Sequence, residues 1–263
     1  MRVLVNGIQV QYELEGPSSG PVVLLAHSLA TNLSIWEPQV RMLAENFRVL
    51  RYDALGHGGT GVPAGPYTMD RLATQAAGLL GALGLERVHF MGLSMGGMIA
   101  QLLAIRAPRK LASLLLCSTT SRIPPEALAL WQERIQIAET EGMEPLVEPT
   151  IGRWFTPPFR IAHPDVIDKV RAMIRATPPA GYSACCHAVS RLDLAAELQA
   201  IRAPTLMIVG EEDPGTPVEA CRTIQEQIPG SELAIIPSAS HLSNLEQTEP
   251  FNQAVSSFLA RVV

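Results

Sequence analysis

The chain opens on a period of two. Ile8, Val10, Tyr12 and Leu14 alternate with polar residues, as in a strand with one covered face. Arg2–Val5 precedes them across Asn6-Gly7, the pair favoured in two-residue turns, so a β-hairpin is predicted. From Pro21 the alternation stops. Residues 21–26, Arg48–Tyr52, Val88–Leu93 and Leu111–Cys117 are short, nearly continuous apolar runs, as strands covered on both faces require. Residues 70–83 and 95–107 carry helical patterning between them. Strands alternating with helices predict an α/β fold: a mostly parallel central sheet with helices on both faces.

The regularity breaks at about Thr120 and returns after Leu198. Nine of the 21 prolines fall in that interval, with helical patches at 126–139 and 165–175 between them. We read residues 120–198 as a helical insertion, a cap or lid, and residues 1–119 with 199–263 as the α/β core that frames it. In the second part of the core, 204–209 and Glu232–Ile236 are strand candidates, and 217–228 and 248–260 are helices.

Composition narrows the function. Hydrophobic residues make up 47% and charged residues 17%, enough apolar material for a sizeable core. The net charge of −5 and the lack of a lysine or arginine block argue against a nucleic-acid partner. No stretch is long enough to span a bilayer, and residues 1–10 lack a signal-peptide pattern, so a cytoplasmic protein without a membrane partner is expected. Cys117, Cys185, Cys186 and Cys221 are read as small apolar residues. Oligomeric state leaves no mark on the sequence.

The chemistry starts at Gly92-Leu93-Ser94-Met95-Gly96, a G-x-S-x-G motif between a strand and a helix. Such a turn lifts a serine above the sheet edge, and its glycines allow the backbone to pack closely. A serine needs a base. Among six histidines, His241 follows a strand candidate and precedes the last helix, where α/β sites assemble. His89 lies within a strand and is read as structural, as are His27 and His57 in loops near the site. The motif resembles that of the α/β-hydrolase fold, whose chain order Ser…Asp…His points to Asp213, directly after the 204–209 strand, over Glu211 and Glu212. Backbone N–H groups of Met95 and Leu29 are the expected oxyanion hole. Gly56-His57-Gly58-Gly59-Thr60-Gly61 mimics a dinucleotide-binding run, but Pro63 and Pro66 forbid the helix that must follow. No zinc-binding motif occurs, so neither cofactor nor metal is expected.

These residues resemble a known family. Residues 51–58, 92–98 and 239–247, together with Arg153-Trp154-Phe155-Thr156-Pro157 and residues 176–182, are similar to 3-oxoadipate enol-lactonases. The resemblance runs from about Gly20 to the end. It implies a cofactor-free hydrolase that opens an enol-lactone in aromatic catabolism through the triad Ser94, Asp213 and His241. One departure is His27-Ser28-Leu29-Ala30, where these lactonases often have Asn-Ser-Leu-Gly; it bears on the substrate, not on the mechanism. A carboxylated lactone also needs a cation. Arg134, one turn after Trp131 on the same helix face, and Arg153 beside Trp154 are the candidate substrate contacts. A general carboxylesterase and a carbon–carbon bond hydrolase would use the same parts. A slow or non-catalytic ligand receptor on the same fold is the alternative of another class.

Overall fold

Asn6 and Gly7 both adopt positive φ, 49° and 80°, and close the N-terminal hairpin between β1 (Arg2–Val5) and β2 (Ile8–Glu15). The computed structural model describes residues 1–263 throughout. The remaining strands are β3 (Val22–Ala26), β4 (Arg48–Tyr52), β5 (Val88–Leu93), β6 (Leu111–Cys117), β7 (Thr205–Gly210) and β8 (Glu232–Ile236). They form one sheet of eight strands in the order β1-β2-β4-β3-β5-β6-β7-β8. β1 and β2 run antiparallel to their neighbours, and every pairing from β4 to β8 is parallel. Each residue of β5 and β7 is buried, which is why those segments read as unbroken apolar runs.

Four helices belong to the first half: α1 (Glu37–Leu43), α2 (Met69–Ala82), α3 (Met95–Arg106) and, after β6, α4 (Leu128–Thr140). Ten consecutive residues of α3, Met95 to Ala104, are buried, so this helix is apolar all round and runs through the core. Next come α5 (Glu144–Trp154), α6 (Pro157–Ala162), α7 (Pro164–Ala176) and α8 (Pro179–Val189). The chain then returns to β7, α9 (Val218–Gln227), β8, α10 (Ser243–Glu246) and α11 (Thr248–Val262). Helices α4 to α8 therefore all lie in the connection between the adjacent parallel strands β6 and β7.

In that connection the prolines act differently from the sequence reading. Treated as breaks, they hide α5, α6 and α8. In the structure prolines stand in the first two positions of α5, α6, α7 and α8, where the missing N–H has no partner to lose. Pro149 sits inside α5 and removes one helical bond. Burial of Leu146, Val147, Ile151 and Trp154 on one side of α5 outweighs that loss. No helix is long and apolar enough to cross a membrane.

Candidate active site

The turn between β5 and α3 is strained. Ser94 has φ 55° and ψ −112°, a conformation that non-glycine residues rarely take. Its N–H donates to the Cys117 carbonyl at 2.8 Å, and its own carbonyl accepts from the Thr119 hydroxyl at 2.8 Å. The flanking glycines are there because the backbones touch. A Cβ on Gly92 would lie 2.2 Å from the Gly96 carbonyl oxygen, and one on Gly96 would lie 2.2 Å from that of Ala26. Met95 is the first residue of α3, so its N–H belongs to the helix end that has no intrahelical acceptor. The Leu29 N–H, in the loop after β3, donates to no group of the protein.

Asp213 and His241 come together from the loops after β7 and β8. Those loops are laced to each other: Glu211 N–H donates to Ile236 at 2.9 Å, and Glu212 N–H to Ala239 at 2.9 Å. Asp213 Oδ2 accepts from His241 Nδ1 at 2.8 Å and from the Thr216 hydroxyl at 2.6 Å. Its Oδ1 accepts the N–H groups of Gly215 at 2.8 Å and Thr216 at 3.0 Å. Burial on its own would push the Asp213 pKa up. The charge of His241 and the bonds from His241 and Thr216 outweigh it and hold the carboxyl below its ordinary value. With Nδ1 committed to the carboxylate, His241 carries its proton there and keeps Nε2 free as an acceptor. Glu211 and Glu212 are exposed, as a solvated role requires.

Ser94, Met95, Leu29, Asp213 and His241 all line one cavity of about 840 Å³. Its other walls carry Trp131, Arg134, Arg153 and Trp154, so every site residue expected from the sequence faces the same space. The Arg134 guanidinium lies 4.7 Å from the centre of the Trp131 ring, the contact their spacing on α4 predicts. Arg153 bonds to the Thr150 hydroxyl at 3.2 Å. Neither arginine pairs with a carboxylate. Burial, with Arg134 close by adding to it, brings the Arg153 pKa down to about 10, and the group stays cationic at neutral pH. The Trp154 indole stacks on the His241 imidazole with centroids 5.9 Å apart and planes 23° from parallel.

Two polar side chains beside the site were given no role from the sequence. Thr216 reaches both members of the Asp213–His241 pair, lying 3.2 Å from His241 Nδ1. Glu246 is buried, and its carboxylate accepts the Ser240 N–H at 2.8 Å, next to the histidine. A threonine three residues after the acid was the available signal for the first. For the second there was only a glutamate in the segment after His241.

His27 and His57 hold the loop after β3 that carries Leu29. His27 Nε2 accepts the Ala54 N–H at 2.9 Å, and its Nδ1 donates to the Ser28 carbonyl at 2.7 Å. His57 Nε2 accepts the Ala30 N–H at 3.0 Å, and its Nδ1 donates to the Leu55 carbonyl at 3.1 Å. Both rings are buried and neutral. Burial lowers the pKa of His27 to about 4; burial, with His27 alongside, lowers that of His57 to about 3. The unfolded chain takes up both protons near pH 6.5, whereas the folded chain does not until those lower values. Stability is therefore expected to fall as the pH drops below about 6.5, by up to about 1.4 kcal/mol per pH unit for each histidine. Urea denaturation across this range measures the slope, and His57→Gln should remove one of the two contributions.

Glycines of the run after β4 make close packing contacts. A Cβ on Gly58 would overlap the Asp53 carboxylate, and one on Gly56 would lie 2.5 Å from the Cα of Gly181 in α8. His89 sits in β5 with Nδ1 2.8 Å from the Ser113 hydroxyl. All four cysteines are buried and free. No group of three or more His, Cys, Asp or Glu side chains is placed to hold a metal ion.

Comparison with known proteins bears on the family and the fold. The family described as alpha/beta hydrolase fold matches residues 21–248. A 3-oxoadipate enol-lactonase of Acinetobacter baylyi is 35% identical over 254 residues, which are 97% of this chain and 94% of that protein. Among solved structures, the enol-lactonase from Burkholderia xenovorans LB400 has a TM-score of 0.95 at 36% identity, covering 99% of this chain and 100% of that one. An esterase from Thermogutta terrifontis, solved with malate bound, has a TM-score of 0.94 at 33% identity, covering 100% and 98%. Likeness that runs from one end of the molecule to the other settles its kinship: the chain belongs to the α/β-hydrolase fold family.

Proposed function

We propose that this protein is a serine hydrolase of small carboxylated lactones and esters, with 3-oxoadipate enol-lactone as its leading substrate. The observation that carries the reading is a single cavity. It holds a serine on a strained turn, a histidine bonded to a buried carboxylate, and two arginines without carboxylate partners. Ser94 Oγ attacks the lactone carbonyl while His241 Nε2 takes its proton. The oxyanion forms against the N–H groups of Met95 and Leu29, neither of which has an acceptor in the protein. The imidazolium at His241 then protonates the enol oxygen as the ring carbon–oxygen bond breaks, leaving an acyl-enzyme on Ser94. Water, deprotonated by the same Nε2, releases the acid and restores the serine. Asp213 stabilises the imidazolium at both stages without taking its proton. Residues 120–198 act as the cap that brings the two cations over the reacting centre.

The arginine pair selects the substrate. Two guanidiniums drawn together without a counter-ion favour an anion between them, and a ligand carboxylate can accept from both. The relatives support an anionic substrate: two are enol-lactonases by name, and an esterase holds malate, a dicarboxylate. That malate complex also favours, as a second reading, an esterase acting on carboxylated esters through the same residues.

The test is a panel of a carboxylated enol-lactone, a carboxylated ester and a neutral p-nitrophenyl ester. The lactone should be cleaved far faster than the simple esters, and equal rates would overturn the narrow assignment. Arg134→Met and Arg153→Met are each expected to lower kcat/KM for carboxylated substrates by ~10- to 100-fold, chiefly through KM, and to leave the neutral ester nearly unchanged.

A further inference from the structure

We propose that Glu246 is a positioning residue, coupling the seating of the inserted helices to the alignment of His241. The inference rests on His241 as the base and adds a partner outside the triad. Glu246 closes α10, five residues after the histidine, and is buried without any cation beside it. One carboxylate oxygen accepts the Ser240 N–H at 2.8 Å. The other accepts the Thr156 N–H at 2.9 Å and also the Thr156 hydroxyl. Thr156 precedes α6, so a single side chain bridges the insertion and the loop that carries the base.

Three further contacts join the same two segments. The Ser240 hydroxyl donates to the Arg153 carbonyl at 2.8 Å, and Leu242 N–H donates to the Trp154 carbonyl at 3.2 Å. The Trp154 ring stacks on His241 itself. Residues 153–156 are thus fastened to residues 240–246 on both sides of the imidazole. Arg153, in the fastened segment, also lines the cavity.

The chemistry at the joint requires a carboxylate. A buried anion without a cation is costly, and it is tolerated only where several donors satisfy it. Here backbone N–H groups approach from two sides, and both need acceptors. A glutamine offers one carbonyl oxygen and one NH2, so one of the two N–H groups would face another donor. Aspartate is a methylene too short to span both. A joint that only filled space would have no use for the charge.

Kinetic constants of Glu246→Gln, Thr156→Val and Thr156→Ser test the proposal, each on a carboxylated lactone and on a neutral p-nitrophenyl ester. Glu246→Gln is expected to lower kcat by ~10- to 100-fold on both substrates with little change in KM, since misplacing a base by about an ångström costs on that order. Thr156→Val should lower kcat by several-fold, Thr156→Ser should restore it, and Thr156→Val should add little to Glu246→Gln. If Glu246→Gln fails to fold, the Thr156 pair alone decides. A purely structural role predicts a lower Tm in folded variants whose kcat stays at the wild-type value, and that result overturns the proposal. Should His241→Ala abolish turnover while Glu246→Gln and Thr156→Val keep theirs, the coupling falls and the base stands. Should His241→Ala remain active, both fall.

Discussion

Ser94→Ala is expected to lower kcat/KM on a p-nitrophenyl ester by about 10⁵-fold while leaving the fold and the binding of a carboxylate competitor in place. The backbone bonds that hold the turn, to the carbonyl of Cys117 and from the hydroxyl of Thr119, use main-chain atoms of Ser94 and survive the change. Alanine meets the same φ of 55° that serine already tolerates, so the strain does not grow with the substitution. What disappears is the nucleophile, and with it the acyl-enzyme. The N–H groups of Met95 and Leu29 remain, and they leave a residue of rate over the uncatalysed reaction of roughly 10³-fold. Intact-mass spectra after mixing with a slow ester should show the acyl adduct in the wild type and none in the variant. The receptor alternative makes the opposite forecast: turnover already near background, and no change when the hydroxyl is removed.

The sheet was legible because it is buried. β4, β5 and β6 have the bounds their apolar runs suggest, since each run ends where a loop must become polar. β8 also keeps its expected bounds, although only Ile236 in it is buried. The insertion was harder to read, because proline marks both the end of one helix and the first turn of the next. Pro157, Pro164 and Pro179 were weighed only as breaks, although each opens a helix. α1 is only seven residues long, too short for a helical period to stand out in the sequence. In the site, the serine and the two loops after β7 and β8 could be placed from chain order alone, because the fold brings those strand ends to one edge. Arg134 could be linked to Trp131 because helical spacing is local. Glu246 could not, since it is joined to Thr156 across ninety positions of sequence. Nothing in a linear pattern announces a hydrogen bond between Thr156 and the segment after His241.

Asp213→Asn should prove nearly as damaging as loss of the nucleophile, with kcat down by about 10⁴-fold and KM little changed. The reason lies in the four donors around the carboxylate. Its Oδ1 receives two backbone N–H groups, from Gly215 and Thr216, and these cannot be turned away. In the asparagine variant the carbonyl oxygen must stay on that side. The new NH2 then takes the place of Oδ2 and points at His241 Nδ1 and the Thr216 hydroxyl, which both donated there before. Thr216 can rotate its proton away and accept. His241 can accept only by moving its proton to Nε2, and a protonated Nε2 cannot receive one from Ser94. The variant should therefore fold and bind a carboxylate competitor as the wild type does, yet turn over slowly. NMR of the imidazole nitrogens should place the ring proton on Nε2 in the variant and on Nδ1 in the wild type. An Asp213→Asn enzyme that keeps its proton on Nδ1 and retains full activity would show that this carboxylate does not orient the base.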